Sequence, residues 1–388
     1  MIFTNHLFEN MDRRIQVDAV YTDFQKAFDR VDHTLLLEKL AYNGIRGNLL
    51  RWFVSYIYNR TQTVVVNRFE SDSIVVNSGV PQGSILGPLL FILYINDIKQ
   101  CFINTHFLLY ADDMKIYKPC KSLQDCILLQ DDLNRLYGYC NRNKLFLSLP
   151  KCHSITFTKN KKKILFNYCI NNVPLNKTDS VRDLGVTLDS CLHFEMHIDN
   201  IINKAFRMYG FVMRSTGDFV RPSTFLLLYK SLIRSQLEYA VPVWNPFYIK
   251  YNERLEMVQK KFIRSLNYKC KNSKLSYHQL LERYNILSLE SRRLLLVVMM
   301  LYNICNHKYD CVDITNKLYY IVPRTVYRRA VRAPRLFYTE KCRTNAGARA
   351  PLHRLVETYN THFVDLDIFA LPGKQFKSAV IELLSSSQ

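Results

Sequence analysis

Glycine and proline are scarce, 11 and 12 of 388 residues, about half their usual combined share. So few breakers exclude a loop-dominated or collagen-like chain and predict mostly regular structure. Acidic residues are also short: 33 Asp plus Glu against 53 Lys plus Arg, a formal charge of +20. That deficit favours a polyanionic partner, nucleic acid or an acidic membrane surface. Long apolar runs are missing too. Gly87–Ile95 and Leu294–Tyr302 fall short of the roughly 20 residues a spanning helix needs, so no membrane partner is expected. The opening Met1–Gln16 mixes apolar residues with Asn5, Glu9, Asp12, Arg13 and Arg14, so no secretory leader is expected either. Eleven cysteines include no Cys-x-x-Cys pair, and Cys305, His307 and Cys311 lack a fourth ligand at a zinc spacing. Reduced cysteines acting as small hydrophobes in an intracellular compartment fit best. With 48% apolar and 22% charged residues, a disordered chain is excluded.

The few breakers are bunched. Gly79, Pro81, Gly83, Gly87 and Pro88 fall within ten residues, which marks an unusual backbone demand there. Up to about residue 190 the pattern mixes strands and helices. Strands are expected at Val17–Thr22, Thr61–Val66, Ser73–Val76, His106–Tyr110, Ile164–Ile170 and Asp183–Leu188, and helices at His33–Tyr42, Asn48–Tyr58, Ile85–Ile98 (buried) and Ser122–Cys140. Beyond about residue 193 helix follows helix, over Phe194–Met213, Pro222–Leu237, Asn252–Leu266, Ser276–Tyr284 and Ser288–Cys305. After about residue 312 the pattern weakens and turns basic, with Arg324, Arg328, Arg329, Arg332, Arg335, Lys341, Arg343 and Arg349 against Glu340 alone in Ile321–Ala350.

Three acids stand out by their settings. Asp23 directly follows a strand, and Asp112 and Asp113 form the two-residue tip of a predicted hairpin. If those strands are sheet neighbours, three carboxylates converge. Like charges that close repel unless cations neutralise them. Hard divalent ions with oxygen ligands do so, and two of them about 3.5–4 Å apart suit in-line phosphoryl transfer. The competing reading is that acid pairs mark turns and wet helix faces; Asp131 and Asp132, inside an amphipathic helix, are expected to be its wet side.

The context of the acids carries a resemblance. Thr22-Asp23-Phe24-Gln25-Lys26-Ala27-Phe28-Asp29, then Ser78-Gly79-Val80-Pro81-Gln82-Gly83-Ser84-Ile85-Leu86-Gly87-Pro88, then Tyr110-Ala111-Asp112-Asp113 resemble three ordered motifs of reverse transcriptases, in the flavour of jockey-type non-LTR retrotransposons. Asp183-Leu184-Gly185-Val186 and Leu237-Glu238-Tyr239-Ala240-Val241-Pro242-Val243-Trp244 resemble the lead into the thumb and the helical region beyond it. The resemblance implies an α+β fold: a polymerase palm of antiparallel sheet with packed helices over 1–192, an all-helical thumb over 193–311, and a basic C-terminal extension over 312–388. It implies RNA-directed DNA synthesis from deoxynucleoside triphosphates on an RNA template and DNA primer, with two Mg²⁺ ions (Mn²⁺ being the alternative) held by Asp23, Asp112 and Asp113. Nuclear action is implied as well. Phe28 matches the steric gate that excludes a sugar 2′-hydroxyl. Phe24, Gln82 and Gly83 fall in the segments that contact nucleotide and template, and Lys151 matches a lysine near the nucleotide's phosphates, although Ser148 stands where the family has Asn. Lys26, Asp29, Asp32 and His33 are expected to serve the fold or cap a helix.

Among the basic stretches, Lys260, Lys261, Arg264, Lys269, Lys271 and Lys274 run without an intervening acid. Helical spacing would set several along one phosphate-binding groove. Only 22 residues precede Asp23; the fingers and endonuclease portion of a longer element protein are therefore expected to be missing. A remnant that binds nucleic acid without turnover is the alternative function.

Overall fold

The computed structural model describes residues 1–217, 219, 221–270, 275–321 and 335–386. Lys271, Lys274, Arg324, Arg328, Arg329 and Arg332 lie outside the described residues. The chain forms two units, one of Arg14–Ser180 and one of Met1–Arg13 with Val181–Gln388.

The first unit is built on Gln16–Thr22, a strand buried at every residue. It is central to a five-stranded sheet, with Asp113–Cys120 antiparallel on one side and His153–Phe157 antiparallel on the other. His106–Tyr110 closes one edge, and Asn176–Lys177, parallel to His153–Phe157, closes the other. A strand flanked on both edges and covered on both faces must satisfy any polar group internally. Asp18 does so by accepting from Gln16 Nε2 at 2.9 Å and Tyr168 Oη at 2.8 Å. The predicted strand Ile164–Ile170 is formed only at Cys169–Ile170, because Ile164 spends its N–H and C=O on the Gln16 side-chain amide instead of a ladder.

Helices His33–Tyr42, Gly47–Ile57, Leu86–Ile95 and Leu123–Arg142 enclose a core running from Val20 through Phe91 and Tyr94 to Leu136. The Leu86–Ile95 helix is not wholly buried as expected. Leu90, Phe91 and Tyr94 face the core, while Leu89 and Ile92 are about half exposed. Leu123–Arg142 opens with a capping box of Ser122 and Asp125. Its Asp132 corrects another expectation: the carboxylate is fully buried and accepts from the Asn104 backbone, Asn104 Nδ2, Thr105 Oγ1 and Arg135. Helical periodicity alone gives no sign that a neighbouring loop covers that face.

The second unit is mainly helical. Glu195–Ser215, Ile249–Lys269, Tyr277–Tyr284 and Leu289–Cys305 follow the predicted order. Pro222 sits in the first turn of its helix, where its missing N–H costs nothing. Pro222–Leu237, predicted as one helix, is interrupted by a π-helical turn at Tyr229–Arg234. Pro351–His362 and Gly373–Ser386 pack on Leu289–Cys305. From the first of these, the buried Arg354 guanidinium donates to the carbonyls of Pro242, Val243 and Asn245. Among the described residues no helix is long and apolar enough to cross a membrane.

Candidate active site

The sheet register decides whether distant acids meet. Gln16–Thr22 and Asp113–Cys120 pair with Thr22 opposite Met114, so one further step brings Asp23 level with Asp113. Tyr110 pairs with Asp113, which makes the hairpin turn Ala111-Asp112, one residue earlier than expected. Ala111 pays for this with φ of +53°, a left-handed conformation that costs an L-residue about 1–2 kcal/mol. The result is a half-buried Asp112 at the tip and an exposed Asp113 at the strand's first position.

Asp23 is pinned from behind. Ser148 N–H donates to its carbonyl at 2.7 Å, Gln25 N–H donates to Phe146 O at 2.8 Å, and Phe24 bridges Leu147. The bond from Ser148 uses only backbone, which explains why serine serves there. A short turn, Leu149–Lys151, then carries Lys151 back over the acid. Its Nζ lies 2.9 Å from Asp23 Oδ2, an ion pair rather than an aligned hydrogen bond, since that buried oxygen accepts none. Contact with Asp23 first, and the charge of Asp112 in addition, raise the Lys151 pKa above its ordinary value. One ammonium thus feels both carboxylates. The three acids do not close completely: Asp23, Asp112 and Asp113 are not mutually within 4.8 Å.

The breaker-rich loop lies against the residues that follow Asp23. Val80 N–H donates to Phe28 O, Gly79 N–H to Val31 O and Ser78 Oγ to Asp29 O. Gly79, with φ of +87°, has no room for a side chain: a Cβ would lie 2.8 Å from Asp29 Cα. At Gly87 a Cβ would lie 2.6 Å from Pro81 O. Gly83 is required only for its φ of +78°, with open space around it. Gln82 Nε2 donates to Asp29 Oδ1 at 2.7 Å, so an acid expected to serve only the fold orients a candidate nucleotide contact. His33 Nε2 and Arg60 Nη2 both donate to Gly79 O, at 2.9 and 2.8 Å. Burial lowers the His33 pKa, which keeps the ring neutral with its proton on Nε2. Nothing in the sequence pointed to Arg60. Asp32, as expected, caps a helix by accepting from Leu35 N–H.

Phe28 is half-buried and stacks on Phe91 at 4.5 Å, a fixed ring beside the acids' strand. Phe24 is a correction: its side chain is 3% exposed and belongs to the core, so only its backbone is left to offer a nucleotide. The basic stretch also divides. Lys260 lies over the Tyr277 ring, whereas Lys261 lies over Phe206 and Tyr209 on another flank. Lys269 caps Thr216 O. Among the described residues of the stretch, Lys261 and Arg264, three residues apart, are the exposed pair.

The residues present suit hard divalent cations: carboxylate oxygens only, one of them buried without an aligned donor, and a lysine already drawn in as counter-charge.

A family model described as "Reverse transcriptase (RNA-dependent DNA polymerase)" matches residues 10–188. The chain is 28% identical over 281 residues to the RNA-directed DNA polymerase from mobile element jockey of Drosophila melanogaster, covering 68% of this chain and 30% of that protein. It is 25% identical over 260 residues to the probable RNA-directed DNA polymerase from transposon X-element of the same species, covering 65% and 28%. It therefore spans about 30% of the length of these relatives. A structure of telomerase from Candida Tropicalis in complex with a fragment of telomeric RNA aligns with a TM-score of 0.40 at 12% identity, covering 100% of this chain and 52% of that one. Residues 10–188 thus match the reverse transcriptase family model, and the chain is similar to polymerases of the jockey type that the sequence resembles.

Proposed function

We propose that the chain is an RNA-directed DNA polymerase that adds deoxynucleotides to a primer 3′-hydroxyl on an RNA template. The observation that carries this reading is the sheet register that sets Asp23 level with Asp113, next to Asp112 in the hairpin turn, with Lys151 ion-paired to Asp23. Asp23 and Asp112, with Asp113 beside them, would hold two Mg²⁺ ions. When bound, such ions supply the positive charge that steadies the attacking and leaving oxygens of phosphoryl transfer. The protein's own part is positioning. Lys151, released from Asp23, is long enough to serve a triphosphate; Phe28 presents a ring edge where a 2′-hydroxyl would clash; and Gln82, held by Asp29, fixes the loop over the nucleotide. Lys261 and Arg264 offer backbone phosphate contacts in the helical unit.

Primer extension on an RNA template tests this. The wild-type chain is expected to incorporate deoxynucleotides in Mg²⁺, and Asp112→Asn to lose at least a hundredfold in rate. Equal incorporation by the two proteins would remove the carboxylate from the mechanism. RNA binding without incorporation by wild type would leave a binding remnant instead.

A further inference from the structure

The helical unit contains a cavity of about 540 Å³ whose charges do not balance. It is lined by Lys230 and Arg234 from the π-helical turn, by Arg292, and by His278 and Glu282 from Tyr277–Tyr284. Arg292 binds Glu238 with both arms, Nε to Oε1 at 2.5 Å and Nη2 to Oε2 at 2.7 Å. That bidentate pair uses both carboxylate oxygens. Arg234 is left with a distant share of the same group, its Nε 3.5 Å from Oε1, and this buried nitrogen makes no hydrogen bond. Desolvation, with the neighbouring Arg292 charge next, lowers the Arg234 pKa, the signature of a cation short of a partner.

The backbone places a second cation beside it. π-helical turns inside α-helices are rare and recur at functional sites. Here the turn sets Lys230 four residues before Arg234, and both open on the cavity. Lys230 is exposed and has no partner among the described residues. The nearby acid, Glu282, is two-thirds exposed at the rim and lies 3.5 Å from His278.

We propose that this cavity is an anion site for one phosphate group, gripped by Arg234 and Lys230. The guanidinium supplies the forked donors that suit a phosphate, and the lysine a mobile charge. The phosphate comes either from a nucleic-acid backbone or from free phosphate. The site is independent of polymerase activity, since neither its residues nor its test involves the acids of the sheet.

Calorimetric titration of the full chain with inorganic phosphate at fixed ionic strength tests it. Wild type is expected to bind saturably at one site. Lys230→Gln should weaken binding about two- to fivefold, the size of a partly screened charge contact. Glu282→Gln should strengthen it by a similar factor, a gain that no folding defect can imitate. Lys121→Gln, an exposed lysine in the other unit, should change nothing. A short single-stranded RNA that competes with phosphate in wild type but not in Lys230→Gln identifies a backbone phosphate. Phosphate binding without competition identifies the free ion. Absence of saturable binding, or equal affinity in Lys230→Gln and Glu282→Gln, overturns the proposal.

Discussion

Lys151 stands where positive charge is wanted. Its ammonium, 2.9 Å from Asp23 and within reach of Asp112's field, competes with any cation for the same carboxylates. Lys151→Met should therefore bind Mn²⁺ severalfold more tightly, read from the free-ion electron paramagnetic resonance signal. The same variant should show a higher nucleotide KM. Unchanged Mn²⁺ affinity would mean that the ion pair does not overlap the metal position. Gly79 makes a second residue-scale demand. A methyl group there meets Asp29 backbone at 2.8 Å and must adopt φ of +87°, so relaxation requires moving the Phe28–Val31 segment. Gly79→Ala is expected to cost about 2–4 kcal/mol in a urea titration and to lose incorporation with it. Gly83→Ala, strained but unobstructed, should cost about 1 kcal/mol.

At the scale of elements, the helix Glu195–Ser215 carries a pH-sensitive anchor. His197 Nδ1 accepts from Thr187 N–H, the ring packs on Trp244 at 5.2 Å, and the buried Nε2 finds no partner. Burial above all, with Lys204 adding repulsion, pushes its pKa down from 6.5 to about 4. The folded ring is neutral where the unfolded ring takes up a proton. Between pH 6.5 and 4 the unfolded chain binds more protons, so stability falls as pH falls through that window, by about 3 kcal/mol in all. Urea titrations at pH 7 and pH 4.5 should show the loss, and His197→Phe should remove most of the dependence. An equal dependence in the variant would place the titrating group elsewhere.

The same scale shows which elements were legible. The amphipathic helix Glu195–Ser215 was readable because one face of it is solvated. Asp132 was misread because loop 104–105 covers it, a tertiary event with no local mark. The π-helical turn at Tyr229–Arg234 was invisible for a similar reason: one extra residue per turn leaves the apolar spacing almost unchanged.

For the whole molecule, the excess of 20 positive charges predicts that affinity for single-stranded RNA falls linearly with salt on a log–log plot. With several phosphates neutralised, the slope should be steeper than about −2. Fluorescence anisotropy between low and moderate salt measures it, and a flat line would argue against a backbone-binding surface. The candidate site residues were legible as residue types in order: Asp23, Gln82, Asp112 and Asp113 each sit in a recognisable motif. What the sequence could not show was who holds them. Ser148 acts through its backbone, Arg60 lies in no motif, and Asp29 is one acid among 33 Asp and Glu. Supporting contacts depend on which chain segments become neighbours, and that is decided by sheet order rather than local pattern.

The central claim is that Asp23 and Asp112, 89 positions apart, make one cation site. Mn²⁺ binding to wild type, Asp23→Asn, Asp112→Asn and the double variant measures it most directly. The account predicts that either single change abolishes most of the binding and that the second adds little, because the two carboxylates act on a shared ion. Two independent losses that simply add would contradict it.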